Sequence, residues 1–384
     1  MTIVTCIAPV NIAVIKYWGK RDESLILPIN DSLSATLDTE HLCAKTTVMI
    51  SPNFTEDRIW LNGSEESINN PRLQNCLKKI RQKSELPAEM NDWKVHICSQ
   101  NNFPTAAGLA SSAAGYACLA YALAQLFKVK GDISEIARSG SGSACRSVYG
   151  GFVKWLMGTD PSGCDSIAKQ VVPSSHWSDM RILVLVVNDS KKKVSSSVGM
   201  QRTVKTSELL SQRATTIVPH RIVKMEQALH NKDFETFAEL TMKDSNNMHA
   251  VTLDTYPPCT YMNDTSHNIV DFVHAYNAAK NVVKVAYTFD AGPNATLFLL
   301  EKDVAEFIGA LNHYFPPAEN SDIKYQKGLF VENVVPSESI LKNIKFVEQP
   351  AGKLKYIIHT RVGDGPKQLE NSKNHLLNED GLPH

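Results

Sequence analysis

The run Pro-Thr-Ala-Ala-Gly-Leu-Ala-Ser-Ser-Ala-Ala-Gly at 104–115 constrains this chain more than any other stretch. It reads as a loop of small residues running directly into a helix. Ala113, Tyr116, Ala120, Leu123 and Phe127 then recur at helical spacing, which predicts a helix over 109–127 with one face to bury. A helix start presents backbone N–H groups that lack intrahelical partners, and these attract anions. No large side chain crowds Gly108, Ala110, Ser111 and Ser112, so a phosphate chain can approach the backbone, and the two serine hydroxyls add donors. Pattern alone leaves open a close-packed Ala/Gly helix with no ligand. A membrane span is a weaker alternative: 103–127 carries no charge, but it is rich in Gly, Ala and Ser, starts near Pro104 and ends near Gln125. The Lys that follows the second Gly in the common nucleotide-hydrolase loop is missing, so any nucleotide is held by a different loop design.

Composition narrows the function classes. The 384 residues suffice for one large or two ordinary domains, and 40 basic residues balance 40 acidic ones. With no net field, neither nucleic acid nor an anionic membrane is an implied partner, and any anion site has to come from local clustering. The eight cysteines, at 6, 43, 76, 98, 118, 145, 164 and 259, form no Cys-x-x-Cys pair and read as buried thiols. With a start (Met1 to Val10) that has neither a basic region nor a long apolar core, they imply a reducing, cytoplasmic setting. The twelve histidines are scattered without metal-ligand spacing, which argues against zinc; magnesium brought in on a nucleotide stays open.

The order of elements predicts an α+β fold. Strands are expected at 46–50, 94–99, 182–187, 282–289 and 296–300, and helices at 72–83, 109–127, 219–229, 234–242 and 304–314. The apolar strand at 182–187 is followed by a polar segment with Lys191, Lys192 and Lys193, which places a domain seam there: 1–188 and 189–384. The three lysines themselves read as a solvated run and not as catalytic groups. From Gly363 onward the chain is polar and expected to be poorly ordered.

Three further segments carry possible chemistry. In Ala-Pro-Val-Asn-Ile-Ala-Val-Ile-Lys-Tyr-Trp-Gly-Lys-Arg at 8–21, Asn11 and Lys16 lie inside an apolar run and need partners, unless Lys16 only snorkels to a strand edge. Ser-Gly-Ser-Gly-Ser-Ala-Cys-Arg at 139–146 is either a flexible linker or a loop presenting the Arg146 fork to a carboxylate or phosphate. In Thr-Phe-Asp-Ala-Gly-Pro-Asn-Ala at 288–295, Asp290 sits at a strand end, where it caps the turn or faces a site. No Gly-x-Ser-x-Gly elbow occurs, which excludes that serine-hydrolase design.

In this order, APVNIAVIKYWGKRD at 8–22, NNFPTAAGLASSAAG at 101–115, GSGSACRS at 140–147, MNDTS at 262–266 and AYTFDAGPNA at 286–295 resemble the mevalonate diphosphate decarboxylases of the GHMP small-molecule kinase superfamily. The similarity extends over nearly the whole chain, through NDWK at 91–94, KDFETFA at 232–238 and MKDSNNMHA at 242–250. The superfamily loop usually reads Gly-Leu-Gly-Ser-Ser, and the Ala110 variant beside Lys16-Tyr17-Trp18-Gly19-Lys20 resembles the decarboxylase branch. The chain departs from the family pattern at Asp31, where Ser is usual, and keeps Ser34.

The resemblance implies two lobes with the site in the cleft between them, and ATP-dependent decarboxylation of mevalonate 5-diphosphate to isopentenyl diphosphate. ATP phosphates are then expected on Pro104, Ala106, Ala107, Gly108, Leu109, Ala110, Ser111 and Ser112, with Mg2+ carried by the nucleotide and Ser112 a candidate ligand. It implies catalytic roles for Asp290, Lys16, Arg146 and Ser112: Asp290 on the tertiary hydroxyl, Lys16 on the transferring phosphoryl group, Arg146 on the carboxylate. The organic substrate is expected to meet Asn11, Tyr17, Trp18, Gly19, Lys20, Arg72, Ser141, Gly142, Ser143, Ala144, Cys145, Ser196 and Ser197. A homodimer is the family's usual state. Two other classes stay in view: a kinase that stops after phosphorylation, and a non-catalytic ATP sensor. The joint presence of Lys16, Asp290 and Arg146 favours the lyase over both.

Overall fold

The structure is a computed structural model that describes residues 2–103, 111–188, 192–319, 323–332 and 334–384. Two sheets organise the first half. A six-stranded sheet runs in the order Lys367–Gln368, Thr2–Pro9, Cys43–Ser51, Lys94–Asn101, Arg58–Leu61, Ser64–Glu66. A four-stranded one runs Ala168–Val172, Phe152–Trp155, Ser32–Thr36, Asn11–Ile15. The chain passes from one sheet to the other at Val10, directly after Pro9, whose missing N–H suits the end of a ladder. That switch brings Asn11 and the residues after it away from the outer sheet and toward the second half of the chain.

The helix Ser111–Leu126 falls within the predicted span of 109–127, and Pro104 to Ala110 lie outside the described residues. It is buried on nearly all sides, not on one face: Ala113, Ala114, Ala117, Ala120, Leu123 and Ala124 are all inside. One side lies on the strands Thr2–Pro9 and Cys43–Ser51, with the Cys118 thiol 3.2 Å from the Cys6 carbonyl. The other is covered by the helix Ser134–Gly140 and the 3-10 turn Gly142–Val148, which the sequence left open as a linker. Small side chains allow this double covering because backbones can approach closely on both sides.

A five-stranded sheet centres the second half, in the order Val285–Phe289, Ala295–Leu300, Met180–Val186, Tyr356–Arg361, Gln326–Gly328. Met180–Val186 precedes the predicted seam at 188 yet lies inside this sheet, paired with Ala295–Leu300 and Tyr356–Arg361. The helix Phe234–Asp254 runs far beyond the predicted end at 242, its start capped by Asp233, and packs on Val285–Phe289.

The tail corrects an expectation. Residues after Gly363 are ordered: Lys367–Gln368 pairs with the first strand at Ile7 and Cys6, His375 Nδ1 lies 2.8 Å from Thr5 Oγ1, and Leu377 is buried beside Met49, Trp60 and Cys98. A polar segment can dock by backbone pairing, which its composition does not reveal. All eight cysteines are free; six are buried, but Cys43 is only partly so and Cys164 is exposed. No described helix is long and apolar enough to cross a membrane.

Candidate active site

A cleft of ≈ 520 Å³ opens where the four-stranded sheet, the end of the strand Val285–Phe289 and the helix Ser111–Leu126 approach one another. Its charged lining side chains, among the described residues, are Lys16, Arg72, Arg146 and Lys192 against the single carboxylate of Asp290. A helix also begins at its wall, at Ser196, capped by Ser195, whose Oγ accepts the Val198 N–H, and Ser111 and Ser112 of the helix Ser111–Leu126 line it too. Four cations and a capped helix start suit the cleft to a polyanion.

At its centre Lys16 Nζ donates to Asp290 Oδ1 at 2.5 Å, joining residues 274 apart in sequence. The ammonium is 2% exposed and the carboxylate 30%, so the aspartate is the member facing the cleft. Lys16 therefore does not snorkel, and Asp290 does more than close its turn, whose own bond runs from the Gly292 N–H to the Asp290 carbonyl.

Arg146, on the turn Gly142–Val148, is fully enclosed. Its Nε donates to Ser34 Oγ (2.9 Å) and Asn11 Oδ1 (3.3 Å), and Nη1 donates to Ser32 Oγ (2.6 Å). Nη2 has no protein acceptor among the described residues. Asn11 in turn fixes the turn by donating to the Ser143 carbonyl and Ser147 Oγ. Burial lowers the guanidinium's pKa, and the neighbouring Cys145 and Asp290 side chains oppose that. Asp31, the departure from the family pattern, takes no part: it accepts the Met157 N–H at 2.7 Å, and Ser32 and Ser34 do the work beside it.

Tyr17, Trp18, Ser141, Ser143, Ser196 and Ser197 also line the cleft, and Arg72 Nη2 reaches to 3.5 Å from Ser197 Oγ. The Tyr17 hydroxyl is buried with no hydrogen-bond partner among the described residues, and burial raises its pKa. Ser112 Oγ lies 3.4 Å from Ser141 Oγ, tying the helix start to the neighbouring loop. Gly19, Lys20, Gly142, Ala144 and Cys145 do not reach the wall. Lys20 is instead held by Glu23 at 2.6 Å, Gly19 makes a left-handed turn (φ +101°), and Gly142 leaves room for the Tyr17 and Trp155 rings. Pro104, Ala106, Ala107, Gly108, Leu109 and Ala110 lie outside the described residues.

Sequence reasoning missed several contributors. Lys192, read as part of a solvated run, is exposed but also reaches the wall: Nζ donates to Ser196 Oγ and to the Ala291 carbonyl at 3.0 Å each, and desolvation there lowers its pKa while Asp290 opposes the shift. Ser195, Met200 and Met248 complete the wall. A second cleft of ≈ 530 Å³, mostly apolar, shares Ser111 and Ser112 with the first and is lined by Ile59, Leu73, Ile97, Tyr116 and Leu119, with Asn62, Asn70 and Ser99 at hand. Nothing in the sequence groups these residues, which come from the strands Arg58–Leu61 and Lys94–Asn101, the helices Pro71–Gln82 and Ser111–Leu126, and the turns beside them.

Comparison with known proteins bears on this geometry. Residues 8–168 match the model of the diphosphomevalonate decarboxylase-like N-terminal domain, and 182–369 that of the mevalonate 5-diphosphate decarboxylase C-terminal domain. A diphosphomevalonate decarboxylase of Rattus norvegicus is 56% identical over 390 residues, covering 99% of this chain and 97% of that protein. A mevalonate diphosphate decarboxylase structure from Trypanosoma brucei superposes at a TM-score of 0.92, with 39% identity over 98% of this chain and 100% of that one. A complex described as MDDEF with MVAPP, AMPPCP and magnesium superposes at 0.74, with 31% identity over 96% and 100%. With both halves matched in order, and with likeness of sequence and of fold along the whole length, this chain belongs to the diphosphomevalonate decarboxylase family, on a fold of the GHMP kinase type.

Proposed function

We propose that this protein decarboxylates mevalonate 5-diphosphate to isopentenyl diphosphate at the expense of ATP, releasing ADP, phosphate and CO2. The observation that carries the reading is the Lys16–Asp290 pair facing a cation-rich cleft beside the partly free Arg146 fork.

A tertiary hydroxyl is a poor leaving group, so it has to be phosphorylated before elimination. Asp290 is the single carboxylate on the wall, among the described residues, able to orient that hydroxyl and accept its proton. Lys16 holds this carboxylate in place through their ion pair and neutralises charge growing on the transferring phosphoryl group. Arg146 uses its unengaged Nη2 to hold the substrate carboxylate in place until the C–C bond breaks and its electron pair fills the carbon that phosphate leaves. Tyr17 and Arg72 face the diphosphate.

The two clefts meeting at Ser111 and Ser112 suit a nucleotide: base and ribose in the apolar cleft, phosphates at the helix start, Lys192 closing from the opposite side. The MDDEF complex holds AMPPCP and magnesium together with MVAPP, which supports ATP and Mg2+ here. The donor set fits such an ion, since one carboxylate and several hydroxyls suit magnesium held mainly by phosphate oxygens and water. When bound, the ion supplies charge neutralisation on the nucleotide phosphates. The family resemblance also supports a cytoplasmic homodimer; cell fractionation and light scattering test those two points.

Pure protein mixed with ATP, Mg2+ and mevalonate 5-diphosphate is expected to release ADP and CO2 in equal amounts. ADP alone makes the protein a kinase, and neither product makes it an ATP-binding sensor.

A further inference from the structure

Lys16 and Asp290 come from opposite ends of the chain, and one helix holds the backbone beside each of them. Lys16 follows the strand Asn11–Ile15, whose pairing slips between Ala13 and Ile15 and ends there, so its backbone groups need partners outside the ladder. The fully buried Asp244 carboxylate accepts the Lys16 N–H at 2.7 Å. Arg213 donates to both oxygens of Asp244 at 2.9 Å and also to the Lys16 carbonyl at 3.0 Å, while Arg221 donates to Asp244 at 2.9 Å. The next residue of the helix Phe234–Asp254 works on the other partner: Ser245 Oγ accepts the Phe289 N–H at 3.0 Å, one residue before Asp290. One turn on, His249 Nε2 lies 3.4 Å from the Phe289 carbonyl.

We propose that Asp244 and Ser245 are positioning residues that register Lys16 Nζ against Asp290, with Arg213 and Arg221 as the clamp that holds Asp244. This deepens the reading above and rests on it. A buried ionic cluster is a poor way to gain stability, because desolvation offsets much of the attraction, and apolar residues of the same volume serve as well. What apolar residues cannot do is hold both the N–H and the C=O of Lys16. Adjacent residues of one rigid helix also tie the two backbones together more tightly than separate loops would.

The test is Ser245→Ala, which removes a single buried oxygen, assayed in the full-length protein with ATP, Mg2+ and mevalonate 5-diphosphate. A shift of about 1 Å in a reacting pair costs up to about a hundredfold, so kcat is expected to fall at least ~10-fold. KM for both substrates stays within about twofold, because the groups that bind them are untouched. Asp244→Asn is expected to lose more; if it does not fold, Ser245→Ala decides alone. A Ser245→Ala enzyme with kcat within about twofold of wild type, or one whose KM values rise in step with the loss of kcat, overturns the proposal, as does a loss matched by the loss of folded protein. A wild-type protein that releases neither ADP nor CO2 overturns the functional reading and this inference with it, whereas an active wild type beside an unaffected variant overturns the inference alone.

Discussion

Replacing Arg146 by Lys keeps the charge and removes the geometry. The guanidinium carries five N–H donors. Ser34 and Asn11 share the Nε–H, and Ser32 takes one hydrogen of Nη1, so three donors remain for a ligand. A lysine at this position has three donors on one nitrogen and a shorter reach, and the same three oxygens of Asn11, Ser32 and Ser34 absorb them. The variant thus keeps its cradle satisfied and has nothing left to offer the substrate carboxylate. Two charge-assisted hydrogen bonds at about 1.5–3 kcal/mol each give about 3–6 kcal/mol, or roughly 10²- to 10⁴-fold in kcat/KM for mevalonate diphosphate. Steady-state assays that follow ADP and CO2 separately at saturating ATP measure this, with KM for ATP expected to change little. A kcat/KM for the organic substrate within about threefold of wild type, in a protein with normal unfolding, refutes the assignment of Arg146 to the carboxylate.

Asp290→Asn keeps the shape of the site but removes the base, and turnover is expected to fall by at least about a hundredfold while ATP binding, read by titration calorimetry, stays near normal. Burial, aided by the Lys16 ammonium, holds His249 down to about 4 from its ordinary 6.5, and burial does the same to His359. The unfolded chain then binds more protons than the folded one between these values, so this stability is complete above 6.5 and is lost as pH falls toward 4, up to about 3 kcal/mol per histidine. Urea unfolding across that window checks it, and His249→Gln is expected to flatten the slope. A Cβ at position 142 would lie 2.8 Å from the Trp155 ring and 3.1 Å from Tyr17, so Gly142→Ala is expected to cost about 1–3 kcal/mol in the unfolding midpoint and to raise KM for the organic substrate.

Much of the architecture was legible one element at a time. The helices Pro71–Gln82, Val218–Asn231 and Glu301–Tyr314 and the strands Lys94–Asn101 and Ala295–Leu300 fall within a few residues of expectation. Side-chain periodicity is a local property and survives without knowledge of partners. Burial of Ser111–Leu126 on all sides was not legible, because Ala, Gly and Cys lie equally well against one neighbour or two. The tail was misread because backbone pairing with Thr2–Pro9 leaves no mark on side-chain polarity.

By itself, the sequence determined which chemistry the chain can hold: small residues and serines for phosphate, a lysine and an asparagine in an apolar run, an arginine in a glycine-serine turn, an aspartate at a strand end. Each is a statement about residue type and immediate neighbours, and each left a bland alternative open. Only the tertiary structure decided which alternative applies. It brought Lys16 to Asp290 across 274 positions, set Lys192 Nζ against the Ala291 carbonyl, and cradled Arg146 with Ser32 and Ser34. Contacts between residues so far apart depend on how sheets and helices pack, and that information is spread over the whole chain.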